Sequence, residues 1–179
     1  QTCALPILLD FHGCKKRNRS IKIYKDSLSY EREAPRNISV RIAAGAYAKR
    51  TIYLSKASGL RPTLMRAKVV LFDTLDFQSG WSFLDVFAGS GSVGLEALSR
   101  GASKVVFFDI NERYVKAIQK SIDKMTAASG VAYAVVANAL KPPNGRDVDV
   151  VFLDPPYAQS HLIHDVVEKL KKDRKSTRL

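Results

Sequence analysis

From Ser82 to Leu153 the chain alternates short, continuous apolar runs with stretches of helical character, and this alternation restricts the possible folds more than any other feature of the sequence. The runs at 82–87, 104–109, 131–137 and 148–153 are too short for helices and carry few polar positions, the pattern of strands buried on both faces. Between them, 91–100 and 112–127 read as helices and 141–147 as a loop. The repeat predicts an α/β fold of Rossmann-like type, a parallel sheet covered by helices. Right-handed crossovers, with a ligand crevice where the strand order reverses, put the first of these strands at the centre and give the order 3-2-1-4. Ligands should then sit outside the carboxyl ends of the strands.

The first strand leads into a glycine turn. Gly89, Gly91 and Gly94 have the spacing G-x-G-x-x-G between strand and helix, and missing side chains let a backbone turn sharply and approach a ligand. The second strand ends at Asp109, twenty residues after Gly89, where a carboxylate can accept hydrogen bonds from both hydroxyls of a ribose. A nucleoside cofactor is implied, and these two features alone suit a nicotinamide dinucleotide as well as S-adenosylmethionine. Asp85, four residues before Gly89, separates them. A carboxylate there repels a pyrophosphate but suits the cationic amino group of a methionine moiety, so the expected cofactor is S-adenosyl-L-methionine.

The fourth strand runs into Asp154-Pro155-Pro156-Tyr157. Two consecutive prolines fix the backbone and remove two donors, which leaves the Pro155 carbonyl outside regular structure. With the Asp154 carboxylate it offers two acceptors for the two hydrogens of an exocyclic amino group, which aims the nitrogen at an electrophilic methyl by positioning and electrostatics. Tyr157 offers a flat face for stacking the target base. Asp154, Pro155, Pro156 and Tyr157 are the candidate catalytic residues.

A net charge of +12 over 179 residues points to a polyanionic partner, because Lys and Arg gain affinity by releasing condensed phosphate counterions. The length suits one globular catalytic domain. The two cysteines, Cys3 and Cys14, form no disulfide framework or metal cluster, and no apolar run approaches the roughly 20 residues that span a bilayer. We therefore expect a soluble cytoplasmic monomer with no bound metal and no membrane contact. Upstream of the sheet, Ile38, Val40 and Ile42 alternate and the pattern resumes at Ile52 and Leu54, a small β-hairpin or arm whose loop carries Lys49 and Arg50. Thr63 is a plausible cap for a helix over 64–76. Arg41, Lys49, Arg50, Arg61 and Arg66 are the candidate nucleic-acid contacts.

D-P-P-Y after a fourth strand resembles the signature of methyltransferases that act on adenine N6 or guanine N2. The phrases FLDVFAGSGSVGLEALSRGA and VVFLDPPY resemble the RsmD family of small-subunit ribosomal RNA guanine-N2 methyltransferases, as do Val40–Gly45 (VRIAAG) and Arg61-Pro62-Thr63, a likeness that covers about 38–170. The resemblance implies methyl transfer to a guanine of bacterial small-subunit rRNA, free or in a subunit particle. The alternatives are an adenine-N6 enzyme acting on DNA or RNA and an inactive nucleic-acid-binding fragment. Adenine contacts fall to backbone groups near Asn138 and Ala139, and the candidate cofactor residues are Asp85, Phe87, Gly89, Ser90, Gly91, Gly94, Asp109, Ile110, Asn138 and Ala139.

The two ends read differently. Codons that spell residues 1–7 (QTCALPI) have a reverse complement that spells residues 173–179 (DRKSTRL), as a ligated DNA adapter would. Setting aside that last heptad, three basic residues and one acidic, leaves a charge of +10. The expected organisation is a foreign or disordered extension over 1–37, the arm over 38–62, a truncated methyltransferase domain over 63–172 and a foreign tail over 173–179. Val40, in the place of the family's methionine, is the expected initiator, and 8–36 should pack loosely.

Overall fold

The structure, a computed structural model, describes residues 7–10, 38–54, 65–126, 130–141 and 148–175. In chain order the elements are β1 (Ile7–Asp10), β2 (Ile38–Arg41), β3 (Thr51–Leu54), α1 (Met65–Leu75), β4 (Ser82–Val86), α2 (Ser92–Ser99), β5 (Lys104–Asp109), α3 (Glu112–Met125), β6 (Ala132–Val136), β7 (Val150–Leu153) and α4 (Leu162–Lys175). The main sheet has the order β1-β7-β4-β5-β6. Its β6-β5-β4-β7 part is parallel and is the expected 3-2-1-4 order, with β4 central between β5 and β7. No described helix is long and apolar enough to cross a membrane.

Alternate residues of each strand feed different cores, as a pleated backbone requires. Phe83, Val105, Phe107, Val150 and Phe152 face one core with Phe72 of α1, Leu95 of α2 and Ile118 of α3. Leu84, Val86, Val106, Phe108, Val151 and Leu153 face the other, with Val166 and Leu170 of α4. Both faces of β4, β5 and β7 are covered, which is why these strands read as unbroken apolar runs, whereas β6, expected to be buried on both faces, lies at the sheet edge with Tyr133 and Val136 exposed.

Within the expected extension, Ile7–Asp10 forms a strand: it is β1, antiparallel to β7 in a register from Ile7 opposite Leu153 to Asp10 opposite Val150. A bare β7 edge would leave a row of unpaired amides and carbonyls, and any short apolar segment within reach can cover it. Residues 11–37, and with them the rest of the expected extension, lie outside the described residues. At the other end α4 continues to Lys175, past the expected domain boundary.

The arm is a two-stranded antiparallel hairpin of β2 and β3, as expected. It docks on α2 through Glu96, which is fully buried. The amides of Ala43 and Ala44 donate to the two Glu96 oxygens at 2.8 and 2.9 Å. Glu96 is met by Arg100 Nε at 3.1 Å and by Lys68 Nζ at 3.5 Å, and Lys68 also donates to the Arg41 carbonyl at 2.6 Å. Burial pushes the Lys68 ammonium below its ordinary pKa and the Glu96 carboxylate pulls it back up. One carboxylate thus joins the arm, α1 and α2.

Candidate active site

The carboxyl ends of β4, β5, β6 and β7 surround a cavity of about 590 Å³. On the β4 side the chain turns through Phe87, Gly89 and Gly91, all in the left-handed region with φ of 64, 53 and 69°. For a bulky residue such as Phe87 this conformation costs on the order of 1–3 kcal/mol and tends to occur at functional loops. Asp109 holds the turn. Its Oδ2 accepts the Gly89 amide and its Oδ1 the Asn111 amide, both at 2.8 Å, so one side chain ties the glycine loop to the start of α3.

Asp85 lies on β4 beside Phe152 of β7, almost without solvent contact, and accepts the Gly94 amide at 2.9 Å. Burial raises its pKa well above the usual carboxylate range, the Gly94 bond pulls it down, and the fields of Asp154 and Asp109 push it further up. Asp85 is therefore both a helix-start acceptor and a wall of the cavity.

At the far side β7 delivers Asp154, Pro155 and Pro156 to the cavity. Burial alone raises the Asp154 pKa to about 6. Among the described residues neither the Asp154 carboxylate nor the Pro155 carbonyl has a hydrogen-bond partner, whereas the Pro156 carbonyl accepts the Gln159 amide at 2.7 Å and closes a short 3-10 turn, Tyr157–Gln159. An unpartnered acceptor pair next to a nucleoside-sized cavity is suited to hold a group with two hydrogens.

Of the expected cofactor residues, Asp85, Phe87, Gly89, Ser90, Asp109, Ile110, Asn138 and Ala139 all line the cavity, together with Asp154, Pro155 and Pro156. Gly91 and Gly94 are not among the lining residues, although Ser90 and Ser92 on either side of Gly91 are. Their absent side chains serve packing. A Cβ on Gly94 would stand 2.2 Å from the Phe107 ring and one on Gly91 2.9 Å from Ile118. The side chain of Tyr157 and all of Arg61 lie outside the described residues. Arg41, Lys49, Arg50 and Arg66 are exposed on the arm and α1 and are not among the lining residues, with the Arg50 guanidinium 5.0 Å from the centre of the Tyr47 ring.

Several lining residues carry no motif. Asn111 and Tyr114 open α3, and Asn111 is legible as a cap, since its side chain accepts the Arg113 amide. Leu140, Gln159 and Leu162 also line the cavity, and only the tertiary fold brings them there.

Comparison with known proteins agrees with this geometry. Residues 40–176 match the family described as "Conserved hypothetical protein 95". The chain is 39% identical over 123 residues to a Haemophilus influenzae protein named ribosomal RNA small subunit methyltransferase D, covering 66% of this chain and 64% of that one. It is 32% identical over 139 residues to the Escherichia coli K12 protein of the same name, covering 74% and 67% respectively. A crystal structure from Haemophilus influenzae, described provisionally as a methylase, superposes with a TM-score of 0.55 at 28% identity over 75% of this chain and 74% of that one. The chain thus spans about two thirds of the length of these curated relatives, and on the family match and the E. coli likeness it belongs to the RsmD family.

Proposed function

We propose that the chain transfers a methyl group from S-adenosyl-L-methionine to the exocyclic N2 amino group of a guanine in bacterial small-subunit rRNA, free or within a subunit particle. The observation that carries this reading is the open acceptor pair, Asp154 and the Pro155 carbonyl, in the same cavity as the Asp109-braced glycine loop. The names of the relatives supply the small-subunit rRNA; D-P-P-Y supports transfer to an exocyclic amino group, and guanine N2 is what the resemblance to the RsmD family implies.

In this account Asp109 holds the ribose hydroxyls while keeping its two amide bonds, since a carboxylate has about four lone-pair sites. Ile110, 72% exposed, and the backbone at Asn138 and Ala139 hold the adenine, and Asp85 faces the amino group of the methionine moiety. When bound, the cofactor supplies an electrophilic sulfonium methyl. Asp154 and the Pro155 carbonyl each accept one hydrogen of the substrate amino group and fix the direction of its lone pair. As the nitrogen gains the methyl it must lose a proton, and a carboxylate with a pKa of about 6 can take it. Tyr157 stacks on the base, and Arg41, Lys49, Arg50, Arg61 and Arg66 engage phosphates. The chain acts as a monomer in this account, and a substrate of this kind places the work in the cytoplasm.

The test is to incubate the chain with methyl-labelled cofactor and, separately, unmodified small-subunit particles, stripped small-subunit rRNA and DNA, then to identify the labelled nucleoside by mass spectrometry. The expected product is N2-methylguanosine from small-subunit rRNA. Label in N6-methyladenosine or in DNA overturns the substrate assignment. No label despite cofactor binding favours a nucleic-acid-binding fragment.

A further inference from the structure

Three side-chain amides line the cavity: Asn111, Asn138 and Gln159. Two are committed. The Asn111 oxygen accepts the Arg113 amide at 3.0 Å and the Asn138 oxygen accepts the Leu140 amide at 2.9 Å, each fixing a local turn. The Gln159 side chain has no hydrogen-bond partner among the described residues, and its residue is exposed. Its backbone is pinned, because its amide donates to the Pro156 carbonyl at 2.7 Å, which folds the chain back on the Asp154-Pro155 pair. A free amide, with one donor face and one acceptor, therefore stands on the turn that holds the amino-group grip.

We propose that Gln159 is a specificity-determining residue that reads the edge of the target base next to the reacting amino group; the inference rests on the function proposed above. With its 2-amino group in the grip of Asp154 and Pro155, guanine places N1–H and then O6 next along the same edge. The Gln159 amide can accept from the first and donate to the second. Adenine held by its 6-amino group places a bare N1 and then C2–H there. The amide then makes at most one bond whichever way it is turned. A two-bond contact of this kind discriminates between bases by roughly 5- to 150-fold.

The test uses rRNA in which the guanosine mapped by the preceding experiment is replaced by 2-aminopurine riboside. That analogue keeps the 2-amino group, loses O6 and has a lone pair in place of N1–H. The rate ratio, guanine over 2-aminopurine, is measured for the parent and for Gln159→Met, which keeps length and removes both polar groups. Taking the ratio within each protein cancels any loss of folded fraction. The ratio should fall by about 5- to 150-fold in Gln159→Met, and Gln159→Asn should stay between the two. A parental ratio in Gln159→Met overturns this proposal alone, with guanine methylation intact. A parent that labels no guanine overturns the function reading, and this proposal with it.

Discussion

The two sides of the cavity treat their carboxylates in opposite ways. On the glycine-loop side the acids are engaged with backbone: Asp109 with two amides and Asp85 with one, and behind them Glu96 of α2, outside the cavity lining, with two more. Across the cavity Asp154 has none among the described residues, and burial has raised its pKa to about 6. The first group organises the protein through hydrogen bonds from backbone amides, which in the case of Asp85 offset only part of the cost of burial. The lone acid is left for something that is not protein. Asp154 is half-buried at the end of β7 with its carboxylate open to the cavity, a position suited to a ligand.

Replacing carboxylates on the two sides should therefore have opposite effects on stability. The largest loss is expected for Glu96→Ala, which strands Lys68 in the core and removes the acceptors of Ala43 and Ala44. Breaking a buried pair in this way costs about 3–5 kcal/mol, measurable by chemical denaturation. A loss below about 1 kcal/mol would mean that the arm is held by its apolar contacts, Val40, Ile42 and Ile52, and not by Glu96.

Asp109→Ala should act next in size, mainly on the cofactor. Loss of hydrogen bonds to a charged group weakens binding by about 1.5–3 kcal/mol, which calorimetry with S-adenosylhomocysteine would register. Unchanged affinity would reduce Asp109 to a loop brace. The smallest effect is on the other side. The Asp154 pKa lies above its ordinary 3.8, so the folded state holds a proton that the unfolded state has released, and stability declines as pH rises from about 4 to about 6. Asp154→Asn should remove that decline and raise Tm at pH 7 relative to the parent, with little change at pH 4. A lower Tm at pH 7 would show that the carboxylate is paired after all.

How much of this was legible in the sequence follows the range of the forces involved. The β4–β7 order was readable because burial on both faces leaves unbroken apolar runs and because right-handed crossovers leave few arrangements. Asp109 and Asp154 were readable because each sits at a strand end with turn chemistry beside it. β1 was not, since nothing within ILLD says which edge it will cover; the open side of β7 decides that. The packing role of Gly91 and Gly94 was not readable, because Ile118 and Phe107, which forbid a side chain there, are 27 and 13 residues away in sequence and meet them only in the fold. Gln159 went unnoticed because it belongs to no motif and acquires its place from the turn that its own amide closes.

The central claim, that Asp154 is open because it grips the substrate amino group, is tested most directly by single-turnover methyl transfer with Asp154→Asn, cofactor and small-subunit rRNA both saturating. The amide keeps the shape of the carboxyl but can donate towards the amino group it should hold. The account predicts a rate lower by about two to three orders of magnitude, as for one lost transition-state contact, with S-adenosylhomocysteine affinity unchanged. A rate near that of the parent would contradict it, and would make Asp154-Pro155-Pro156-Tyr157 a turn that closes a strand.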